Sequence, residues 1–306
     1  MTQRIKGVLS PVVTPFKRDY APDAARFVRH CKWLLAHGCS GLAVFGTNSE
    51  ANSLSVDERI ELLDALIAGG VPAAQLMPGT GCSALSDSVK LTAHAVKLGC
   101  AGVLMLPPFY YKGVPDEGLY RNFSEVVQRV ADDRLQMYLY HIPPVSQVPI
   151  TLGLIERLLK AYPKQVAGIK DSSGDWSNTK AVLDAFAKSG FDVFAGSETF
   201  LLDNLRNGGV GCITATGNVN PGAIDHLYKH WQTKEADALQ AGITATRMIV
   251  QQVPMIPALK AIVAHYSGDA DWVTVRPPLI ELTAAQHETV MSGLAKAGFE
   301  MPGIKG

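Results

Sequence analysis

The stretch QVAGIKDSSGDWSNTKAVLDAFAKSGFDVFAGS, residues 165–197, contains one complete copy of the unit from which this chain is organised. VAGIKD (166–171) is an apolar run of strand length, NTKAVLDAFAKSG (178–190) spaces its apolar residues for a helix and stops on a glycine, and DVFAGS (192–197) opens another strand. Two buried strands joined through one helix run parallel, because the chain must cross over the sheet to start the second in the same direction.

Outward from this unit the alternation continues. GVLSPVVTP (7–15), GLAVFG (41–46), AAQLMPG (73–79), GVLMLPP (102–108) and LQMYLYHIP (135–143) precede it and VGCITAT (210–216) follows, which makes eight apolar runs. Helical patterns lie between them, among them DAARFVRHCKWLLAHG (23–38), SVDERIELLDALIAGG (55–70) and SDSVKLTAHAVKLG (86–99). Ser55 with Glu58 reads as a capping box. Strands apolar along their whole length are covered on both faces, so eight such units predict a (β/α)8 barrel of the TIM type, with an open doubly wound sheet as the alternative. After residue 220 only helical patterns remain, GAIDHLYKHWQTKEADALQAGITATRMIVQQ, PMIPALKAIVAHYSG and TAAQHETVMSGLAKAGF. The expected organisation is a barrel over 1–232 that carries the site and a C-terminal helical extension over 233–306.

The 306 residues are 47% apolar, enough for a substantial core. Lys plus Arg and Asp plus Glu are 28 each, so no global field gathers nucleic acid or an anionic membrane, and small molecules are the expected partners. Cys31, Cys39, Cys82, Cys100 and Cys212 are odd in number, widely spaced and without a CxxC pair, which fits reduced core thiols and a cytoplasmic location. The opening segment MTQRIKGVLSPVVTPF has its apolar stretch broken by Pro11 and Pro15 and does not read as a signal peptide. No run of some 18 apolar residues is present to span a bilayer.

Reactive groups of a barrel sit at the C-terminal ends of its strands. Here those ends are GTNSE (46–50), PGTG (78–81), PPFYYKG (107–113), YHIPP (140–144), KDSSG (170–174), GSE (196–198) and ATGNVNP (215–221). Lys170 is the lysine among them that falls inside a strand. Alternation puts it on the face of Gly168, whose lack of a side chain is expected to leave room beside it, and turns Asp171 to the other face. An amine in an enclosed, mostly uncharged space is held toward its neutral, nucleophilic form and can add to a carbonyl as a Schiff base; a structural lysine paired with a carboxylate is the plain alternative. Tyr140, on the preceding strand, can relay protons if Thr47 or another tyrosine supports it, or can be simple core. GTNSE offers free backbone N–H groups suited to a carboxylate, and would otherwise be an ordinary polar loop. The eight histidines include no close pair at ligand spacing with carboxylates, so no metal and no organic cofactor is expected. GNVNPG could grip a phosphate or merely start a helix.

KGVLSPVVTPF, GTNSE with LSVDER, GTG, PPFYY, YHIPP, GIKDSSGD, AGSE and GCITATGNV stand in the order and spacing of the dihydrodipicolinate synthase and N-acetylneuraminate lyase family of pyruvate-dependent class I aldolases, which the chain resembles over essentially its whole length. The resemblance implies a tetramer built from tight dimers and a reaction that needs no cofactor. It implies further that Lys170 forms the Schiff base and Tyr140 relays the proton. Thr47 and Asn48 would hold the pyruvate carboxylate, Tyr110 would reach across the dimer interface to complete the relay, Ile213 would pack on pyruvate, and Gly196 would line the substrate site. Two positions depart from the family pattern: Ser49 replaces a glycine, and Val145 stands where the synthases carry an arginine for the second substrate's carboxylate. GTN, GTGC, KDSSGD and AGSE are closer to the 4-hydroxy-2-oxoglutarate aldolase type. The expected reaction is lyase cleavage or formation of a C–C bond between a 2-oxo acid and an aldehyde. Alternatives are condensation with aspartate semialdehyde, dehydration of a 2-keto-3-deoxy sugar acid, and a non-catalytic 2-oxo-acid binding protein. Val145, Ser146, Ser197 and Glu198 are expected to line the pocket of the second substrate.

Overall fold

The computed structural model describes residues 4–305. Seven strands, β1 (Gly7–Ser10), β2 (Gly41–Leu42), β3 (Val103–Met105), β4 (Met137–His141), β5 (Val166–Asp171), β6 (Asp192–Ala195) and β7 (Gly211–Ile213), form one parallel sheet in the order β2-β1-β7-β6-β5-β4-β3. Sheet neighbours are chain neighbours except that β1 lies beside β7, so the sheet curls as a half-barrel that brings the first strand to the last. A doubly wound sheet instead reverses its strand order partway across.

AAQLMPG does not form a regular strand. Ala73–Gln75 is a turn of 3-10 helix, after which residues 76–80 run between β2 and β3. The N–H groups of Met77 and Gly79 donate to the carbonyls of Leu42 and Val44 at 2.9 and 2.7 Å, and that of Thr80 donates to Leu104 at 3.0 Å. Pro78 has no N–H to contribute, and the ladder is interrupted there. The other seven runs each contain the strand they predict, shortened where prolines follow, as Pro11 follows Ser10.

Helices occupy Ala24–Ala36, Val56–Ala68, Leu85–Lys97 and Trp176–Phe186, as the spacing predicts, and Ser55 and Glu58 form the capping box. The last of these starts earlier than its apolar pattern because the Asp175 carboxylate accepts from the N–H of Ser177 and caps it. The C-terminal region folds as helices Pro221–His230, Ala236–Val250, Met255–Ser267 and Ala284–Lys296.

One face of the sheet packs Leu9, Leu104, Tyr138, Phe194 and Ile213 against one another; the other carries Val103, Leu139, Ile169 and Val193 under the helices. All are nearly or fully buried, at about 1.5–3 kcal/mol of hydrophobic stabilisation for each large side chain. A bulge between β4 and β5 sets the phase of this packing. Met137 pairs with Val166 but Tyr138 pairs with Gly168, so Ala167 is an extra residue, and every later pair is offset by one. Tyr140 therefore stands beside Lys170 and His141 beside Asp171. Without the bulge Lys170 would adjoin His141.

Candidate active site

Lys170 is buried on the inner face of β5, with its Nζ 4.3 Å from the centroid of the Tyr140 ring. Among the described residues no carboxylate pairs with it, which removes the plain reading of a structural ion pair. Asp171 points away, as alternation predicts: its carboxylate accepts from the N–H of Ser173 at 2.9 Å, Nδ2 of Asn178 at 2.9 Å and Oγ1 of Thr179 at 2.7 Å. His141 is likewise turned outward, and its Nδ1 accepts from the N–H of Ile150 at 3.0 Å. Burial holds that imidazole toward its neutral form.

Gly168 has a different role from the one expected. A Cβ there would lie 2.8 Å from two ring carbons of Tyr138 and closer still to the carbonyl oxygen of Asp192. The missing side chain thus admits the Tyr138 ring, whose hydroxyl donates to Asp192 at 2.9 Å, and not the lysine.

Tyr140 OH and Thr47 Oγ1 lie 3.1 Å apart, so the hydroxyl pair expected of a proton relay is assembled. Thr47 opens a short 3-10 turn, Thr47–Ser49, flanked by two non-glycine residues in the left-handed region, Phe45 at φ 60° and Glu50 at φ 54°. Such backbone is costly and persists where the surroundings fix it. Here Ser49, the departure from the family's glycine, accepts from the N–H of Gly46 at 3.1 Å, and its carbonyl accepts from Thr14 Oγ1 at 2.8 Å. Glu50 is buried against the ammonium of Lys260, and its Oε2 accepts from the N–H of Arg276 at 2.8 Å. Burial pushes the Lys260 pKa down to about 8, opposed by the Glu50 charge. Among the described residues the N–H groups of Thr47 and Asn48 have no protein acceptor, which leaves two donors free at the turn.

Thr47, Asn48, Tyr140, Lys170 and Gly196 line one cleft of about 330 Å³ at the C-terminal ends of the strands, together with Ile142, Val145, Ser197, Ala215 and Arg247. Gly196 must be glycine, since a Cβ would meet Ser172 and the carbonyl oxygen of Asp171 at 2.6 Å. Two expected residues stand elsewhere. Ile213 is buried in the inner core and Ala215 lines the cleft in its place; Tyr110 is 74% exposed and touches Tyr111 edge to face. Of the four residues expected around a second substrate, Val145 and Ser197 line the cleft. Ser146 and Glu198 do not: Ser146 turns to the carbonyl oxygens of Ile142 and Val148, and Glu198 is fully buried among Thr214, Thr216 and Arg247. The Asn218 of GNVNPG is also structural, its amide bonded to Val13, Pro11 and Ala215.

Sequence reasoning missed Arg247 and Lys260. Nothing in the periodicity of the helix Ala236–Val250 marks Arg247, because its partners Glu198 and Thr214 are distant in the chain. Lys260 carried a signal: it sits in the apolar run ALKAIVA, as Lys170 sits in VAGIKD.

The chain matches the dihydrodipicolinate synthetase family over residues 4–297. It is 33% identical to an uncharacterized DapA-like lyase of Chloroflexus aurantiacus, over 94% of this chain and 98% of that one. It is 28% identical to the 4-hydroxy-tetrahydrodipicolinate synthase of Gluconacetobacter diazotrophicus, over 97% and 98%. Among solved structures it superposes on dihydrodipicolinate synthase from Agrobacterium tumefaciens with a TM-score of 0.88, 28% identity and coverage of 95% and 99%. It superposes also on YagE of E. coli K12, solved in complex with pyruvate, with a TM-score of 0.87, 25% identity and coverage of 96% and 99%. The chain belongs to the dihydrodipicolinate synthetase family. It is a lyase of that family's pyruvate-dependent class I aldolase type.

Proposed function

We propose that the enzyme cleaves a 4-hydroxy-2-oxo acid to pyruvate and an aldehyde, and runs the reverse addition, with Lys170 as the Schiff-base residue. The observation that carries this reading is a buried lysine with no carboxylate partner among the described residues, placed by the bulge against a tyrosine that is hydrogen-bonded to Thr47. Nζ of Lys170 adds to the 2-oxo carbon, water leaves, and an imine forms. Tyr140, supported by Thr47, takes the proton of the 4-hydroxyl; the C3–C4 electron pair passes into the imine as an enamine, and the aldehyde departs. Protonation at C3 and hydrolysis release pyruvate. The free N–H groups of Thr47 and Asn48 hold the 2-oxo acid's carboxylate.

The reading extends to the architecture and assembly. Residues 76–80, bonded to both β2 and β3, serve as the remaining strand of a closed (β/α)8 barrel over 1–232, with 233–306 as its helical extension. Tyr110 and Tyr111, exposed as a pair, fit a dimer in which Tyr110 enters the neighbouring subunit's relay within a tetramer. All five cysteines are free thiols, which supports a cytoplasmic setting. Condensation of pyruvate with aspartate semialdehyde is the second reading. The names of the synthase relatives favour it, and Val145 in place of an arginine speaks against it.

Borohydride reduction of the protein with pyruvate, followed by peptide mapping, tests the central claim. The expected adduct is on Lys170 alone, and absence of an adduct, or one at another residue, refutes it. Pyruvate release from 4-hydroxy-2-oxo acids and 2-keto-3-deoxy sugar acids, set beside condensation with aspartate semialdehyde, then separates the reactions.

A further inference from the structure

Arg247 reaches the cleft from the C-terminal helix Ala236–Val250, and among the described residues it is the one arginine that lines it. Its side chain is held through two of its three nitrogens. Nη1 donates to Glu198 Oε2 at 3.1 Å and to Thr214 Oγ1 at 3.4 Å, and Nε donates to Gln251 at 3.3 Å. Nη2 makes no hydrogen bond to any described residue.

Glu198 needs little of this arginine for hydrogen bonding. It is fully buried, and the hydroxyls of Thr214 and Thr216 each donate to one of its carboxylate oxygens. The pair therefore fixes the orientation of a planar guanidinium whose Nη2 keeps both of its N–H groups free among the described residues. A guanidinium fixed in this way is suited to a carboxylate, because the free Nη2 can donate to one of its oxygens in a charge-assisted hydrogen bond. Apart from Lys170, which the proposed imine consumes, Arg247 is the cationic side chain on the cleft wall. Position 145, the expected carboxylate holder, is valine and offers no donor.

We infer that Arg247 determines specificity by binding the far carboxylate of the substrate, so that the enzyme acts on 2-oxo acids whose chain ends in a second carboxylate and releases or accepts an aldehyde that is itself an acid. The carboxylate site is supplied by the helical extension and not by the loop after β4. This inference rests on Lys170 forming the imine, and its test keeps the two apart.

The test compares wild type with Arg247→Met and Arg247→Lys on two substrates of equal chain length, a 4-hydroxy-2-oxo dicarboxylate and the analogue with a methyl in place of the far carboxylate. Wild type is expected to prefer the dicarboxylate in kcat/KM by tenfold or more. Arg247→Met is expected to abolish that preference through KM while leaving borohydride trapping of pyruvate on Lys170 intact, and Arg247→Lys to retain part of it. The double variant Glu198→Gln/Arg247→Met removes both members of the ion pair and so spares the fold an unpaired buried carboxylate; it should lack the preference as well. Wild-type preference for the methyl analogue or for neither, turnover of neither, an equal loss on both substrates in Arg247→Met, or a preference restored in the double variant would overturn the inference. Failure of trapping in wild type would instead overturn the imine reading, and this inference with it.

Discussion

The fully buried ammonium of Lys260 meets the carboxylate of Glu50, and this ion pair ties the C-terminal helix Met255–Ser267 to the turn that presents Thr47 and Asn48. Removing one member of a buried pair strands the other charge, at about 3–5 kcal/mol. Lys260→Met is therefore expected to lower unfolding free energy by that order in urea titrations and to raise KM for the 2-oxo acid, because Glu50 loses its left-handed anchor. Lys260→Met/Glu50→Gln should recover much of the stability but not the KM. Recovery of both would show that the pair has no part in positioning the turn.

Tyr140→Phe keeps the ring against Lys170 and deletes the hydroxyl that Thr47 meets at 3.1 Å. Loss of a positioned acid–base group costs roughly 10²–10⁴-fold in rate. The expected result is a fall of kcat in that range with pyruvate still trapped on Lys170; trapping lost together with turnover would place Tyr140 in imine formation and not only in proton relay.

Gly168→Ala is expected to destabilise by more than about 2 kcal/mol, since overpacking a core costs typically 1–3 kcal/mol and this Cβ meets both a carbonyl and the Tyr138 ring. Denaturation midpoints of Gly168→Ala and Gly168→Ala/Tyr138→Leu measure it. If shrinking the ring does not relieve the penalty, Tyr138 is not the obstructing group.

His30 is buried with its ring stacked on Trp33 at 5.9 Å and edge-on to Trp272 at 5.1 Å, and burial lowers its pKa to about 4. The unfolded chain binds this proton near pH 6.5, the folded chain only near 4, so stability from the neutral ring is complete above 6.5 and declines as pH falls through that window. The full difference is of order 3 kcal/mol at 1.36 kcal/mol per unit. His30→Phe keeps the aromatic contacts and is expected to flatten the stability profile between pH 6.5 and 4, with little change at pH 7.5. A profile as steep as wild type would assign acid sensitivity to other groups.

Most of this was legible locally. Apolar runs, glycine stops and the capping box placed the elements, and a lysine in an apolar strand marked Lys170 before any fold was considered. Where the reading fell short, the cause was long-range pairing. Gly168 serves a tyrosine thirty residues earlier on another strand, and Arg247 joins the cleft through contacts to Thr214, just after β7, and Glu198, in the turn after β6; Pro78, by contrast, is a local break within its own apolar run. Tyr110, exposed and outside the cleft, gains a role only under the proposed dimer.

The extra residue Ala167 gives this site an unusual vulnerability. Strand faces have a parity of two, so regular pairing from Met137–Val166 onward, with Ala167 kept in the ladder, would exchange odd for even along the rest of β5 and send Lys170 outward under the helices while Asp171 turned in. Catalysis here thus depends on a count as well as on a cast of side chains: a chain could keep every reactive group, slip its β5 pairing by one residue, and present an acid where it had presented an amine.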